Sequence, residues 1–256
     1  MGQVISVMMN KGGSGKTSII TNIAALAAKD GKKVLLIDTD AQANAGIAFG
    51  VNYAKDSLYE LIIGKKDISD VKIEVLPGLD LIPSNTRLSN LIFKVDSSRF
   101  LTLLDFVQDL KSMYDLILID TPPSLELIAG NVLRNSDKVI IPFMPEVYNV
   151  SGLMNVVELI EDFKENVNND LEILGIVSNM VVNSTKLHRE LLWQVEDFAD
   201  RKGINVFTTI IPRSIQYANA TAYYKTPAGI LEQQTDKTRL YNELYREMEK
   251  KLYETK

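Results

Sequence analysis

Near the start of the chain the run Lys11-Gly12-Gly13-Ser14-Gly15-Lys16-Thr17-Ser18 sets bare backbone, two cations and three hydroxyls in a spacing suited to polyphosphate. Glycine at 12, 13 and 15 lets successive N–H groups turn toward phosphate oxygens, and a helix starting after the loop adds its positive dipole end. Lys16 would place a point charge against β- and γ-phosphates, and the Thr17 hydroxyl can ligate Mg²⁺. The ordinary phosphate-loop pattern asks for a glycine five residues before Gly15, where this chain has Asn10. It fits instead the form Lys-Gly-Gly-x-Gly-Lys-(Ser/Thr). A glycine-rich turn that binds nothing would leave the strand before it, the helix after it and both lysines as unrelated coincidences.

Two carboxylate clusters follow apolar runs. Lys33–Asp38 leads into Asp38-Thr39-Asp40, with Gln42 just beyond, and Asp115–Asp120 leads into Thr121-Pro122-Pro123-Ser124. Open α/β sheets place their ligands where strands end. One aspartate ending a strand is often only a cap. Two of them after a phosphate loop point to a metal held by Thr17, Asp38 and Asp120.

These three segments resemble the deviant Walker A ATPases of the ParA/MinD superfamily, and the short ParA/Soj type in particular. The resemblance is specific at residues 11–18, 38–42 and 120–124 and looser beyond residue 140. It departs from the family pattern at Ala41, where proline is usual. The resemblance implies an ATPase that uses ATP and Mg²⁺ and forms a face-to-face homodimer with ATP. Lys11 would cross to the partner subunit's nucleotide, Asp40 would position the attacking water, and Asp120 would hold a magnesium-bound water. Asn179 matches the family's adenine-reading asparagine, with a buried cap as the alternative. Ile210-Ile211-Pro212-Arg213-Ser214 resembles the stretch bordering the adenine, with Ser214 in place of asparagine.

The resemblance further implies non-specific binding of double-stranded DNA by the ATP-bound dimer, association with the nucleoid in the cytoplasm, and a centromere-binding, ParB-like partner that stimulates hydrolysis. Candidate DNA contacts are Lys186, Arg189, Arg213 and Lys225. Gln216 stands where the Soj-like pattern often has a DNA-contacting arginine. His188 reads as a helix-surface residue rather than a ligand. The rival within the superfamily is a MinD-like ATPase with a C-terminal amphipathic membrane helix. In Lys237–Tyr253 the tyrosines and leucines form a stripe beside charges of both signs, which suits a helix packed on the protein body and no stable membrane association. A metabolic synthetase that phosphorylates a small acid shares the loop type, but no small-substrate constellation is visible.

The elements needed to position these residues are legible as apolar runs at Gln3–Met9, Lys33–Asp38, Leu79–Pro83, Asp115–Asp120, Lys138–Pro142, Glu172–Ser178 and Val206–Pro212. Helix-length stretches follow at Thr17–Lys29, Phe100–Lys111, Ser151–Glu165, Thr185–Lys202 and Lys237–Tyr253. Such alternation predicts a doubly wound α/β fold, a mostly parallel sheet with helices on both faces, in one domain over 1–256. Residues 52–74 read as a short helix plus loops over one edge. Nothing ahead of the first run suggests an operator-reading module.

Composition narrows the chemistry further. The chain has 256 residues, 46% hydrophobic and 24% charged, and no cysteine. That excludes a disulfide framework, a cysteine nucleophile and a thiolate-held metal or cluster. No signal-peptide pattern opens the chain, and no apolar run approaches the ~18 residues of a membrane span. At a net charge of −5, DNA contact requires a local basic patch, assembled from two subunits.

Overall fold

Three short apolar strands make the centre of the protein: β1 (Gln3–Val7), β2 (Val34–Asp38) and β5 (Leu116–Asp120). In each of them successive side chains point to opposite faces, so a strand that is apolar throughout needs a cover on both sides. The computed structural model supplies both covers. It describes all residues except Met1, Leu101, Leu125, Glu126, Asn183 and Glu254–Lys256. Val34 and Leu36 of β2 pack with Ile19, Ile23 and Ala27 of α1 (Lys16–Lys29), whereas Leu35 and Ile37 face the opposite core. That second core takes Leu58 and Ile62 from α3 (Leu58–Ile62) and Val107 from α5 (Phe106–Leu110).

The remaining strands are β3 (Ile73–Leu76), β4 (Leu79–Ile82), β6 (Lys138–Phe143), β7 (Glu172–Val181) and β8 (Ile211–Pro212). They complete an eight-stranded sheet in the order β3-β4-β2-β5-β1-β6-β7-β8. Every pairing is parallel except β3 with β4. From β1 the chain goes to β2 and out to the β3–β4 edge, then returns to β5 beside β1. It next runs through β6 and β7 to β8 at the other edge, and the switch point lies at the carboxyl ends of β5, β1 and β6. Around the sheet lie α2 (Asn44–Ala48), α4 (Ile68–Val71), α6 (Leu127–Asn135), α7 (Val147–Asn166), α8 (Lys186–Lys202), α9 (Ile215–Asn219) and α10 (Asp236–Tyr253). On the β6–β7 side, Val139 and Ile141 are covered by Leu153 and Val157 of α7 and Leu191 and Val195 of α8.

The expected doubly wound sheet is present, and the differences are local. Residues 52–74 hold two short helices, α3 and α4, and lead into an edge strand. Ser57 and Glu60 form a reciprocal capping box on α3. The β3–β4 hairpin closes over Pro77-Gly78, with Gly78 at φ 80°, the left-handed position a tight turn gives to glycine. Of the helix expected over 100–111, in which Leu101 lies outside the described residues, 106–110 is regular, and α6 is an addition to the expected helices. The expected strand over 206–212 is reduced to a single bridge at Val206 and the two residues of β8. Between them Thr208 and Thr209 give their backbone N–H groups to the Glu247 carboxylate of α10, at 2.6 and 3.0 Å, instead of to a ladder.

The tyrosine stripe of α10 lies against the body. Tyr241, Leu244, Tyr245 and Met248 are buried in the α1 core, and Tyr241 meets Tyr217 edge-on at 5.1 Å between ring centres. No helix among the described residues is long and apolar enough to cross a membrane.

Candidate functional site

Strand β1 delivers the loop 10–15 to the switch point, and α1 leaves it at Lys16. Gly13 and Gly15 stand at φ 75° and 88°, a backbone hand that side chains resist. Gly15 is constrained twice, because a Cβ there would lie 2.0 Å from Nδ2 of Asn179. That amide donates to the Ser14 carbonyl at 2.7 Å, so the buried Asn179 braces the loop from β7. At Gly12 and Gly13 an added Cβ would meet nothing within 4 Å. These two positions of the loop therefore face open space.

Lys16 is only 6% exposed, and its Nζ donates to the carbonyls of Met9 at 3.0 Å and Lys11 at 3.2 Å. Burial lowers its pKa from the ordinary lysine value, and the carboxylates of Asp120 and Asp40 work against that shift. The ammonium is desolvated, held by neutral carbonyls and near two anions, an arrangement that suits an incoming polyanion. The first turn of α1 carries no acidic residue and no side-chain cap, so its leading N–H groups remain for the same ligand.

Of the three metal-side candidates, Thr17 and Asp120 are in direct contact. Thr17 Oγ1 donates to Asp120 Oδ2 at 2.7 Å, while Asp120 Oδ1 is buried without a hydrogen-bond partner among the described residues. An orphaned carboxylate oxygen beside a threonine hydroxyl fits the hydration shell of a hard divalent cation. Burial raises the Asp120 pKa. The Thr17 hydrogen bond and the Lys16 charge oppose the rise, and Asp40 adds to it.

Asp38 has a different setting. Its Oδ1 accepts from Asp40 N at 3.0 Å, and its Oδ2 from Ala45 N and Gly46 N at 3.0 and 3.4 Å. Both oxygens thus organise the turn into α2. Burial first, and then the charge of Asp120, raise its pKa, with those backbone donors pulling the other way. Asp40 is nearly buried, and its Oδ1 accepts from Gln42 N at 2.9 Å.

Two hydroxyls that sequence reasoning passed over tie the strand ends together. Thr39 Oγ1 donates to the Asp120 carbonyl at 2.6 Å, and Thr121 Oγ1 to the Val7 carbonyl at 2.6 Å. The ends of β2, β5 and β1 are cross-linked by these bonds, which sets the two carboxylate clusters relative to the loop. The signal was the threonine following each of Asp38 and Asp120.

Lys11 forms an ion pair with Glu146, the residue just before α7, within the same chain. Both side chains are partly exposed. Glu146 carried no signal in the sequence, since an isolated glutamate in a loop has no motif around it.

Pro212 and Ser214, expected with Asn179 near the adenine, are half-buried. Pro212 ends β8, and the Ser214 hydroxyl accepts from Gln216 N at 3.3 Å, capping α9. Of the basic candidates, Lys186 and Arg189 are exposed on the first turn of α8. Arg213 is exposed just after β8, its backbone N bonded to the Val181 carbonyl at 3.0 Å, so these three share the rim where β7 and β8 end. Lys225 belongs to another loop. It holds a left-handed conformation at φ 50°, and its Cβ lies 3.3 Å from where a Cβ on Gly50 would be. Lys186 is paired with Glu190 at 3.3 Å, and the Gln216 amide oxygen accepts from Thr235 Oγ1 at 2.7 Å. His188 caps rather than ligates: its Nδ1 accepts from Val182 N at 3.0 Å.

Comparison with known proteins agrees with this geometry. A family model described as an AAA domain matches residues 2–173. The chromosome-partitioning ATPase Soj of Treponema pallidum is 33% identical over 97% of this chain and 97% of its own length. Among solved structures, a candidate plasmid partition protein of Borrelia burgdorferi B31 bound to AMPPNP is 29% identical, with a TM-score of 0.80. It covers 98% of this chain and 100% of its own. The cobyrinic acid a,c-diamide synthase of Mycobacterium smegmatis with a bound ATP analogue and magnesium is 25% identical, with a TM-score of 0.84 over 99% and 96% of the two chains. With its phosphate loop, strand-end aspartates and full-length similarity, this chain belongs to the ParA/Soj family of P-loop partition ATPases.

Proposed function

We propose that this protein is a Mg²⁺-dependent, slow ATPase acting as a nucleotide-switched homodimer in DNA partition. The observation that carries the nucleotide reading is the pairing of an open glycine cradle with a buried Lys16 and an orphaned Asp120 oxygen. ATP would lie with its phosphates in the loop 11–18, contacted by backbone N–H groups, the Lys16 ammonium and the hydroxyls of Ser14, Thr17 and Ser18. Thr17 and Asp120 would hold Mg²⁺, which when bound supplies charge neutralisation at the β- and γ-phosphates. Asp38 would support that arrangement indirectly, by fixing the turn that carries Asp40. Asp40 would orient the attacking water. Asn179, Pro212 and Ser214 would border the adenine.

Lys11 is the switch in this reading. In the single chain it is neutralised by Glu146, and in the ATP dimer it would leave that carboxylate for the partner's phosphates. The exposed Lys186, Arg189 and Arg213 give the dimer a basic rim for duplex DNA, with Lys225 as a separate contact. The ATP-bound form would sit on the nucleoid, and a ParB-like protein would stimulate hydrolysis, release it and reset the cycle. Burial of the α10 stripe favours this reading over a MinD-like membrane ATPase, because the apolar face such a helix would present is already covered.

Lys16→Ala tests the cradle. Without its in-subunit cation, ATP–Mg²⁺ binding in calorimetry should weaken by at least two orders of magnitude, on the ~3 kcal/mol scale of a charged contact to phosphate. Wild-type affinity in the variant would remove the phosphate assignment.

A further inference from the structure

Asp40 and Asp120 reach the nucleotide site from different strands, and one buried side chain spans the gap between them. The ladder of β2 with β5 ends at the pair Asp38 and Asp120. One residue on, Thr39 continues the pairing by other means. Its backbone N–H donates to the Asp120 carbonyl at 3.0 Å, and its hydroxyl donates to the same oxygen at 2.6 Å. Two bonds from one residue to one acceptor fix both the main chain and the rotamer of Thr39, which is 1% exposed.

Asp40 inherits that anchorage. Its N–H donates to Asp38 Oδ1 at 3.0 Å, its own Oδ1 accepts from Gln42 N at 2.9 Å, and its carbonyl accepts from Ala43 N at 2.9 Å. Those three bonds are internal to the turn after β2. The bonds from Thr39 tie the turn to β5, at the residue whose carboxylate takes the Thr17 hydroxyl at 2.7 Å. One continuous path, Thr17–Asp120–Thr39–Asp40, therefore joins the metal-side pair to the carboxylate that would orient the water.

We infer that Thr39 is a positioning residue for hydrolysis, whose hydroxyl holds Asp40 in register with Asp120. The inference rests on the ATPase reading above, in which Asp40 faces the attacking water and Asp120 the metal. The chemistry needs the hydroxyl and not only the branched shape. Valine keeps the bulk but leaves the Asp120 carbonyl with the backbone N–H alone, whereas serine keeps the donor. Thr39 lies outside the loop 11–18 that would hold the phosphates. Loss of its hydroxyl should therefore slow the reaction while leaving nucleotide affinity in place.

The test measures ATP–Mg²⁺ affinity by calorimetry, kcat and KM for hydrolysis, and urea unfolding midpoints, all on the full chain. Thr39→Val should bind ATP–Mg²⁺ like the wild type and turn over about 10–100-fold more slowly, the scale of a displaced reacting group. Thr39→Ser should recover most of the lost kcat. Ser136→Ala separates positioning from stability. Ser136 is buried ahead of β6, at the opposite end of the strands, and its hydroxyl bonds the Val132 carbonyl at 2.7 Å and Ser6 Oγ at 3.0 Å. That variant should lower the urea midpoint and leave kcat unchanged. The assignment is overturned by a Thr39→Val protein that hydrolyses at the wild-type rate, by a Thr39→Ser protein as slow as Thr39→Val, or by rates that follow the urea midpoint across all three variants. A wild-type chain that binds ATP–Mg²⁺ without hydrolysing it would overturn the ATPase reading itself, and this inference with it.

Discussion

Lys11 and Lys16 lie five positions apart, yet the structure gives them opposite surroundings. Lys16 is buried against carbonyls, and Lys11 is partly exposed in an ion pair with Glu146. An exposed pair of this kind is worth under about 1 kcal/mol, so the Lys11 contact can be exchanged for a phosphate contact at small cost. Three substitutions should then shift the switch in different ways. Lys11→Ala should bind ATP and stay monomeric, having lost the cation that offsets two facing polyanions. Asp40→Ala should accumulate as an ATP-bound dimer that turns over roughly 10²–10³-fold more slowly, because only the water-orienting carboxylate is gone. Glu146→Gln should dimerise with ATP at lower protein concentration than the wild type, since Lys11 starts unpaired. Size-exclusion chromatography with light scattering in ATP–Mg²⁺ reads all three, and a Lys11→Ala protein that dimerises normally would remove the cross-subunit role. Gly15→Ala isolates the brace: it combines a left-handed backbone with a 2.0 Å clash against Asn179. It should lose about 1–3 kcal/mol of stability in denaturant unfolding and most ATP affinity, whereas Gly12→Ala, in open space, should lose affinity with little change in stability.

At the scale of elements, the parts of the fold that act on phosphate were the most legible. Strands ending at Asp38 and Asp120 and the helix starting at Lys16 are bound to strict residue types, and all three formed where their sequence places them. Other parts depended on contacts that no local pattern encodes. The 206–212 segment is β-branched and apolar enough for a strand, but Glu247, some forty residues later, captures the N–H groups of Thr208 and Thr209. Lys11's partner Glu146 is more distant still, 135 residues along the chain. The β3–β4 hairpin was readable from Pro77-Gly78, and it was missed because Ile73–Leu76 is exposed on one edge and too mixed to look like a strand. The Glu247 contact has its own pH signature. Burial alone would raise its pKa, but the hydrogen bonds from Thr208 and Thr209 outweigh that and hold it below the ordinary glutamate value. A carboxyl depressed in the folded state adds stability above its unfolded pKa and loses it as pH falls through the folded value. Glu247→Gln should therefore be less stable than wild type at neutral pH, with the gap closing below about pH 4.5 and gone in more acid solution. Urea unfolding across that range measures it, and a gap that does not change with pH would mean the carboxylate charge contributes nothing there.

The whole molecule is acidic, at a net charge of −5. Lys186, Arg189 and Arg213 gather where β7 and β8 end, while the following turns of α8 are rich in carboxylates. A single chain offers DNA only a small cationic rim, and two rims brought side by side by ATP would offer enough to hold a duplex. Such contacts release counterions, so binding should fall steeply with salt. The most direct measurement is retention of a random-sequence DNA duplex by the purified protein at low salt, compared in ATP–Mg²⁺ and ADP–Mg²⁺. Retention is expected with ATP alone, lost as salt rises and weakened by Arg189→Glu with Arg213→Glu while ATP binding persists. No retention with ATP, together with ATP-dependent co-sedimentation on liposomes, would contradict the partition switch and place the protein with the membrane-associated ATPases.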